Sequence, residues 1–170
     1  MGSMRLVSIW IVLCSLALAF GAQTPAQRFA TSSPRESARV VFVCEHGSVK
    51  SLVAMEYFNR SAQKRGLAYR AVARGTAPEP MVPSSVRAGL RAAGFDVSRF
   101  TPRLFEASDV EDASLVVSFD QDIANIVGDK VQHLAWDNLP GVLADYARGR
   151  DEIVRHVDEL IDELARSATP

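Results

Sequence analysis

One stretch constrains this chain more than any other: Val40-Val41-Phe42-Val43-Cys44-Glu45-His46-Gly47-Ser48-Val49-Lys50-Ser51. Apolar β-formers run up to a cysteine, a short run of mostly small or polar residues follows, and Leu52, Met55, Phe58 and Ala62 then repeat at three- and four-residue spacing. Alternation between β-forming and helical periods predicts a strand, a tight loop and a helix start. Such a loop leaves main-chain N–H groups unpaired at the positive end of a helix, which favours a bound anion.

The same field stabilises a thiolate, so Cys44 is a candidate nucleophile. Lys50 would add a point charge for an oxyanion, and the Ser51 hydroxyl could donate to the sulfur or to a leaving group. Glu45, His46, Gly47, Ser48 and Val49 would line the anion site, with Glu45 repelling a dianion. The plain alternative for Cys44 is a small buried hydrophobe at the end of a central strand.

The pattern Cys44-x5-Lys50-Ser51 resembles the Cys-x5-Arg-Ser/Thr loop of the low-molecular-weight protein tyrosine phosphatases and the related arsenate reductases, with lysine in place of arginine. The replacement matters, because guanidinium binds two phosphate oxygens at once whereas ammonium acts as a single charge. The resemblance extends over roughly residues 39–166. It implies an α/β three-layer sandwich: a four-stranded parallel sheet flanked by helices, with a phosphocysteine intermediate as the expected chemistry. Members of that family take the leaving-group acid from an Asp-Pro pair after the fourth strand. Here the corresponding stretch reads Trp136-Asp137-Asn138-Leu139-Pro140-Gly141, so Asp137 is the nearest candidate acid and Asp145 a weaker one. The ordinary reading of Asp137 is an Asx-turn former.

With 170 residues, 48% of them apolar, and a formal charge of −1, the chain suits one domain and offers nucleic acid no basic face. Arg5 is followed by an apolar run from Leu6 to Phe20 and then small residues, which reads as a signal peptide over residues 1–22 or, alternatively, as a membrane anchor. The expected location is therefore periplasmic or extracellular, with membrane contact only through an uncleaved N-terminal segment. Residues 23–38, rich in Ser, Thr, Pro, Ala and Arg, read as a flexible linker. The folded domain is expected over residues 39–168. Once the leader is removed, Cys44 is the sole cysteine, which excludes a Cys-x-x-Cys pair and a cysteine-rich zinc site. No cofactor or metal is expected.

Further along, the patterns predict a helix over 51–65 ending at Gly66 and a strand over 67–73. A proline-rich loop follows, then a helix beginning at Pro83 and closing at Gly94. A cap is expected at Ser108-Asp109, a buried strand over 112–120, a helix over 121–127, a strand over 131–134, and a long last helix from about 149. Strands alternating with helices imply a parallel sheet covered on both faces. Arg74, ending the second strand, is expected either to swing into the anion site or to face solvent. His133 and His156 lack partners at ligand spacing.

The first expectation for function is a cysteine-dependent phosphomonoester hydrolase of modest activity, acting on a phosphorylated protein or a small phosphate ester, phosphotyrosine among them. The alternatives are a catalytically silent oxyanion-binding module and an arsenate reductase that uses an external thiol, since residues 116–128 contain no relay cysteines.

Overall fold

Every residue from Val40 to Cys44 is buried, although side chains along a strand alternate between faces, so β1 (Ala38–Cys44) must be covered on both sides. The computed structural model describes residues 37–168, and these show why. Four parallel strands, β1, β2 (Tyr69–Gly75), β3 (Ala113–Ser118) and β4 (Gln132–Ala135), form one sheet in the order β2-β1-β3-β4. Val40 and Phe42 face a cluster completed by α1 (Lys50–Lys64), α2 (Ser84–Ala92) and α5 (Tyr146–Ser167), through Leu52, Phe58, Val86, Leu90, Ile153 and Ile161. Val41 and Val43 face the opposite cluster, where α3 (Ala107–Glu111) brings Val110 and α4 (Ala124–Val127) brings Val127. The result is the expected α/β three-layer sandwich with a parallel sheet between helices.

The elements depart from their sequence patterns at the ends. The second strand continues to Gly75 because parallel pairing runs from Ala38 opposite Tyr69 to Cys44 opposite Gly75. Arg74 is therefore inside the strand and not after it. The short α3 is capped by Glu106, not by Ser108 or Asp109; Asp109 is instead the third helical residue and accepts from the Glu106 N–H at 3.2 Å. The last helix starts at Tyr146, because Asp145 caps it by accepting from Arg148 N–H at 3.1 Å. That bond gives Asp145 a structural task at the start of the helix.

His133 and His156 are both structural. His133 Nε2 lies 2.9 Å from the Ser118 hydroxyl, and the His156 ring packs against Trp136 with centroids 5.1 Å apart. Among the described residues, no helix is long and apolar enough to cross a membrane, and no group of His, Cys, Asp and Glu is placed to hold a metal ion. The leader assigned to residues 1–22 and nearly all of the linker lie outside the described residues.

Tyr146 carries a cost in the packing. Its ring fills the space beside Gly89, where an added Cβ would fall 2.1 Å from Cε1, and its hydroxyl is buried without a hydrogen-bond partner. Burial, reinforced by the neighbouring Tyr57, pushes its pKa up to about 12. Because the folded state holds this proton more tightly, the associated stability is complete below the ordinary tyrosine pKa of about 10 and is lost as pH rises through the folded value. Tyr146→Phe is therefore expected to leave neutral-pH stability unchanged or raise it by up to about 1 kcal/mol. It should also flatten the alkaline limb of urea unfolding; a loss at neutral pH would contradict this account.

Candidate active site

The carboxyl ends of β1 and β3 lie side by side where the strand order reverses direction, the place at which open parallel sheets hold ligands. A cavity of about 190 Å³ opens there, lined among others by Cys44, Glu45, His46, Lys50, Phe119, Asp120 and Leu143. It has ample room for an oxyanion, given that a water takes up roughly 30 Å³ in the liquid.

The loop between Cys44 and α1 is shaped by the segment after β2. Thr76 N–H donates to Cys44 O at 3.0 Å, Ala77 N–H to Glu45 O at 2.8 Å and Glu79 N–H to His46 O at 3.2 Å. In a planar trans peptide the N–H points opposite to the carbonyl, so tying down these carbonyls turns the amides of Glu45, His46 and Gly47 the other way. Among the described residues, the amides of His46 to Val49 donate to no protein acceptor. Gly47 adopts φ +66°, and a Cβ there would fall 2.8 Å from Gly75 N. The Ser48 side chain is fully buried and its hydroxyl has no partner.

Cys44 is 4% exposed, with Sγ 3.1 Å from the Ser51 hydroxyl at the start of α1. With the sulfur as thiolate, the hydroxyl donates to it. The sequence-derived pairing of nucleophile and loop-closing serine is thus present as a contact.

The charged residues are arranged less simply. Lys50 lines the cavity, but Nζ donates to Asp120 Oδ2 at 2.5 Å and to Leu139 O at 3.2 Å. Arg74 is turned away altogether: Nε donates to both Asp109 oxygens, at 2.8 and 2.9 Å, and Nη1 to Ala73 O. It lines a different cavity, with Arg39 and Arg103. Of the two expectations for Arg74 neither holds, since the guanidinium ties α3 to β2 with its side chain only 16% exposed. Asp137 is not among the lining residues; its Oδ1 accepts from Asp120 N–H at 3.1 Å. It serves the backbone after β3 across seventeen positions, a tertiary bond and not the local Asx-turn expected of it. His46 is flanked by Glu79 at 3.8 Å and Glu45 at 4.0 Å.

Asp120 is the carboxylate that sequence reasoning passed over. The signal was available, since it follows β3 at the sheet edge that made Cys44 a candidate. It takes φ +52°, which Asp tolerates better than most residues, and its Oδ1 accepts from Asn138 N–H at 2.7 Å. Burial alone would raise its pKa, but the hydrogen bond and charge of Lys50 and the Asn138 N–H outweigh burial and hold it below the usual carboxylate value. A lowered folded-state pKa gives stability that is complete above the ordinary Asp value of about 4 and is lost as pH falls through the lowered one. Any stability gap between the wild type and Asp120→Asn should therefore close in acid-titrated denaturant unfolding, and a gap constant down to pH 2 would contradict this.

A free cysteine in an amide-lined loop at the switch point of a parallel sheet defines a cysteine-phosphatase-like α/β protein. The chain belongs to the low molecular weight phosphotyrosine protein phosphatase family, whose model matches residues 39–167. Solved structures share the fold at low identity. YfkJ from Bacillus subtilis superposes with a TM-score of 0.69 at 15% identity, over 78% of this chain and 98% of its own. A low molecular weight protein tyrosine phosphatase from T. tengcongensis gives 0.59 at 23%, over 75% and 99%. A thioredoxin-dependent arsenate reductase from Corynebacterium glutamicum gives 0.63 at 17%, over 77% and 63%. No curated protein matches the sequence.

Proposed function

We propose that this chain is a phosphomonoester hydrolase that works through Cys44, with aryl phosphates such as phosphotyrosine as preferred esters. The observation that carries the reading is the Cys44 sulfur within 3.1 Å of the Ser51 hydroxyl, in a loop whose amides at 46–49 have no protein acceptor. The thiolate attacks phosphorus, the bond to the leaving oxygen breaks, and phosphocysteine forms while loop amides hold the equatorial oxygens. Water then attacks phosphorus, releasing inorganic phosphate and restoring the thiolate.

The preference for aryl esters follows from the acid side. Asp137 is engaged with Asp120 N–H, and Asp120 is held as a carboxylate beside Lys50. Without a positioned proton donor, turnover falls by roughly 10²–10⁴, least for leaving groups that depart as stable anions. Phe119, Val142 and Leu143 supply an apolar wall for such a ring. Export to the periplasm or cell exterior, read from residues 1–22, belongs to the same proposal.

A second reading, an oxyanion-binding module without turnover, is favoured by the engagement of Lys50 with Asp120. Arsenate reduction would need an external thiol, as Cys44 is the free cysteine of the described residues. Acid quenching of the protein during exposure to p-nitrophenyl phosphate, followed by mass spectrometry, separates these. A phosphoryl group on Cys44 together with nitrophenol release supports the hydrolase; neither adduct nor release, with phosphate binding intact, leaves the module. Consumption of added thiol driven by arsenate would favour the reductase instead.

A further inference from the structure

Four chain segments meet around the cavity, and Asp120 joins them. Its carboxylate receives Lys50 Nζ from the first turn of α1 and Asn138 N–H from the loop after β4, and its own N–H donates to Asp137. Its carbonyl accepts from Gln121 Nε2, and Gln121 Oε1 accepts from the Thr76 hydroxyl after β2 at 2.6 Å. Lys50 is the only lysine or arginine among the residues lining the cavity, against the carboxylates of Glu45 and Asp120.

We infer that Asp120 is a positioning residue that competes with the bound oxyanion for Lys50, so that the affinity of the cradle is set by the Lys50–Asp120 ion pair. The inference rests on the hydrolase reading only in placing an oxyanion in the loop. The Lys50 side chain is 16% exposed and its ammonium also donates to Leu139 O, so it is committed to the loop after β4 while the pair is intact. With Asp120 and Leu139 O taking two of its three N–H groups, the ammonium has one left for an oxyanion, and its charge is already largely offset by the Asp120 carboxylate. Removing the charge at position 120 while keeping its shape should hand Lys50 to the anion.

Asn is the suitable replacement, since it tolerates positive φ and its amide oxygen can still accept from Asn138 N–H. The experiment measures inorganic phosphate binding by calorimetry in a Cys44→Ser background, which prevents covalent chemistry, for Lys50 and Lys50→Met chains with and without Asp120→Asn. Asp120→Asn is expected to tighten phosphate about tenfold, the scale of one charge-assisted hydrogen bond redirected. The gain should vanish when Lys50→Met is also present. A purely structural role would give a loss, or a change indifferent to residue 50, and either overturns the inference. An unchanged affinity alongside Cys44-dependent turnover in the parent overturns the inference alone. Failure of every variant to bind phosphate overturns it together with the reading of the cradle.

Discussion

Replacing Cys44 by serine is expected to lower p-nitrophenyl phosphate hydrolysis on the order of 10³-fold or more, to the uncatalysed background. The substitution exchanges sulfur for oxygen without changing the shape of a buried side chain that already sits 3.1 Å from the Ser51 hydroxyl. The fold and the loop amides should therefore survive. What is lost is the proposed nucleophile, because a serine hydroxyl at neutral pH needs a base to become reactive, and among the described residues the side chain at position 44 has only the Ser51 hydroxyl as hydrogen-bond partner. Phosphate binding by the variant, measured alongside, distinguishes a dead nucleophile from a collapsed site. Turnover that persists within tenfold of the wild type would remove Cys44 from the chemistry.

Gly75→Ala is expected to be the most damaging small substitution near the site. A Cβ on Gly75 would lie 2.7 Å from Gly47 N, 2.8 Å from Glu45 O and 2.9 Å from His46 C. All of these are main-chain atoms of the anion loop, so no rotamer change can relieve the overlap; β2 or the loop must move. Gly75 is also fixed on its other side, where its N–H donates to Arg103 O and its carbonyl accepts from Phe105 N–H. A cost of about 2–3 kcal/mol in urea unfolding is expected. The loop should open as well, so that phosphate no longer protects Cys44 from alkylation. Gly47→Ala meets the same wall from the opposite side, at 2.8 Å from Gly75 N, and at φ +66° adds about 1–2 kcal/mol of left-handed strain. A Gly75→Ala protein with an unchanged midpoint and intact phosphate protection would show that the two backbones are not held in contact.

The fold was largely legible because its determinants are periodic and local. The buried run Val40–Cys44, the period of Leu52, Phe58 and Ala62, and the amphipathic face of Ile153, Val157, Leu160 and Ile161 each declare an element from within their own segment. Errors fell at element ends, where capping and pairing with distant partners decide the last residues. The second strand gained Arg74 and Gly75 from its register with Cys44, and α3 took its cap from Glu106.

The site was legible only in part, for the same reason. Cys44, Ser48 and Ser51 are close in sequence, and the strand-loop-helix pattern is enough to bring them to one end of the sheet. The partners of the charged residues are not close. Lys50 meets Asp120 seventy positions away, and Arg74 meets Asp109 thirty-five away. A long cationic side chain can satisfy its charge with any carboxylate its tether reaches, and the chain order does not say which one the strands deliver.

Sequence alone determined the parallel α/β architecture and a cysteine at the mouth of an amide-lined loop, because both follow from backbone geometry imposed by neighbouring residues. Tertiary structure alone decided that Gly75 closes the loop from behind, that Arg74 and Asp137 are spent on holding elements together, and that Lys50 is shared with Asp120. Those outcomes depend on which strand ends lie side by side, a property of the assembled sheet and not of any segment within it.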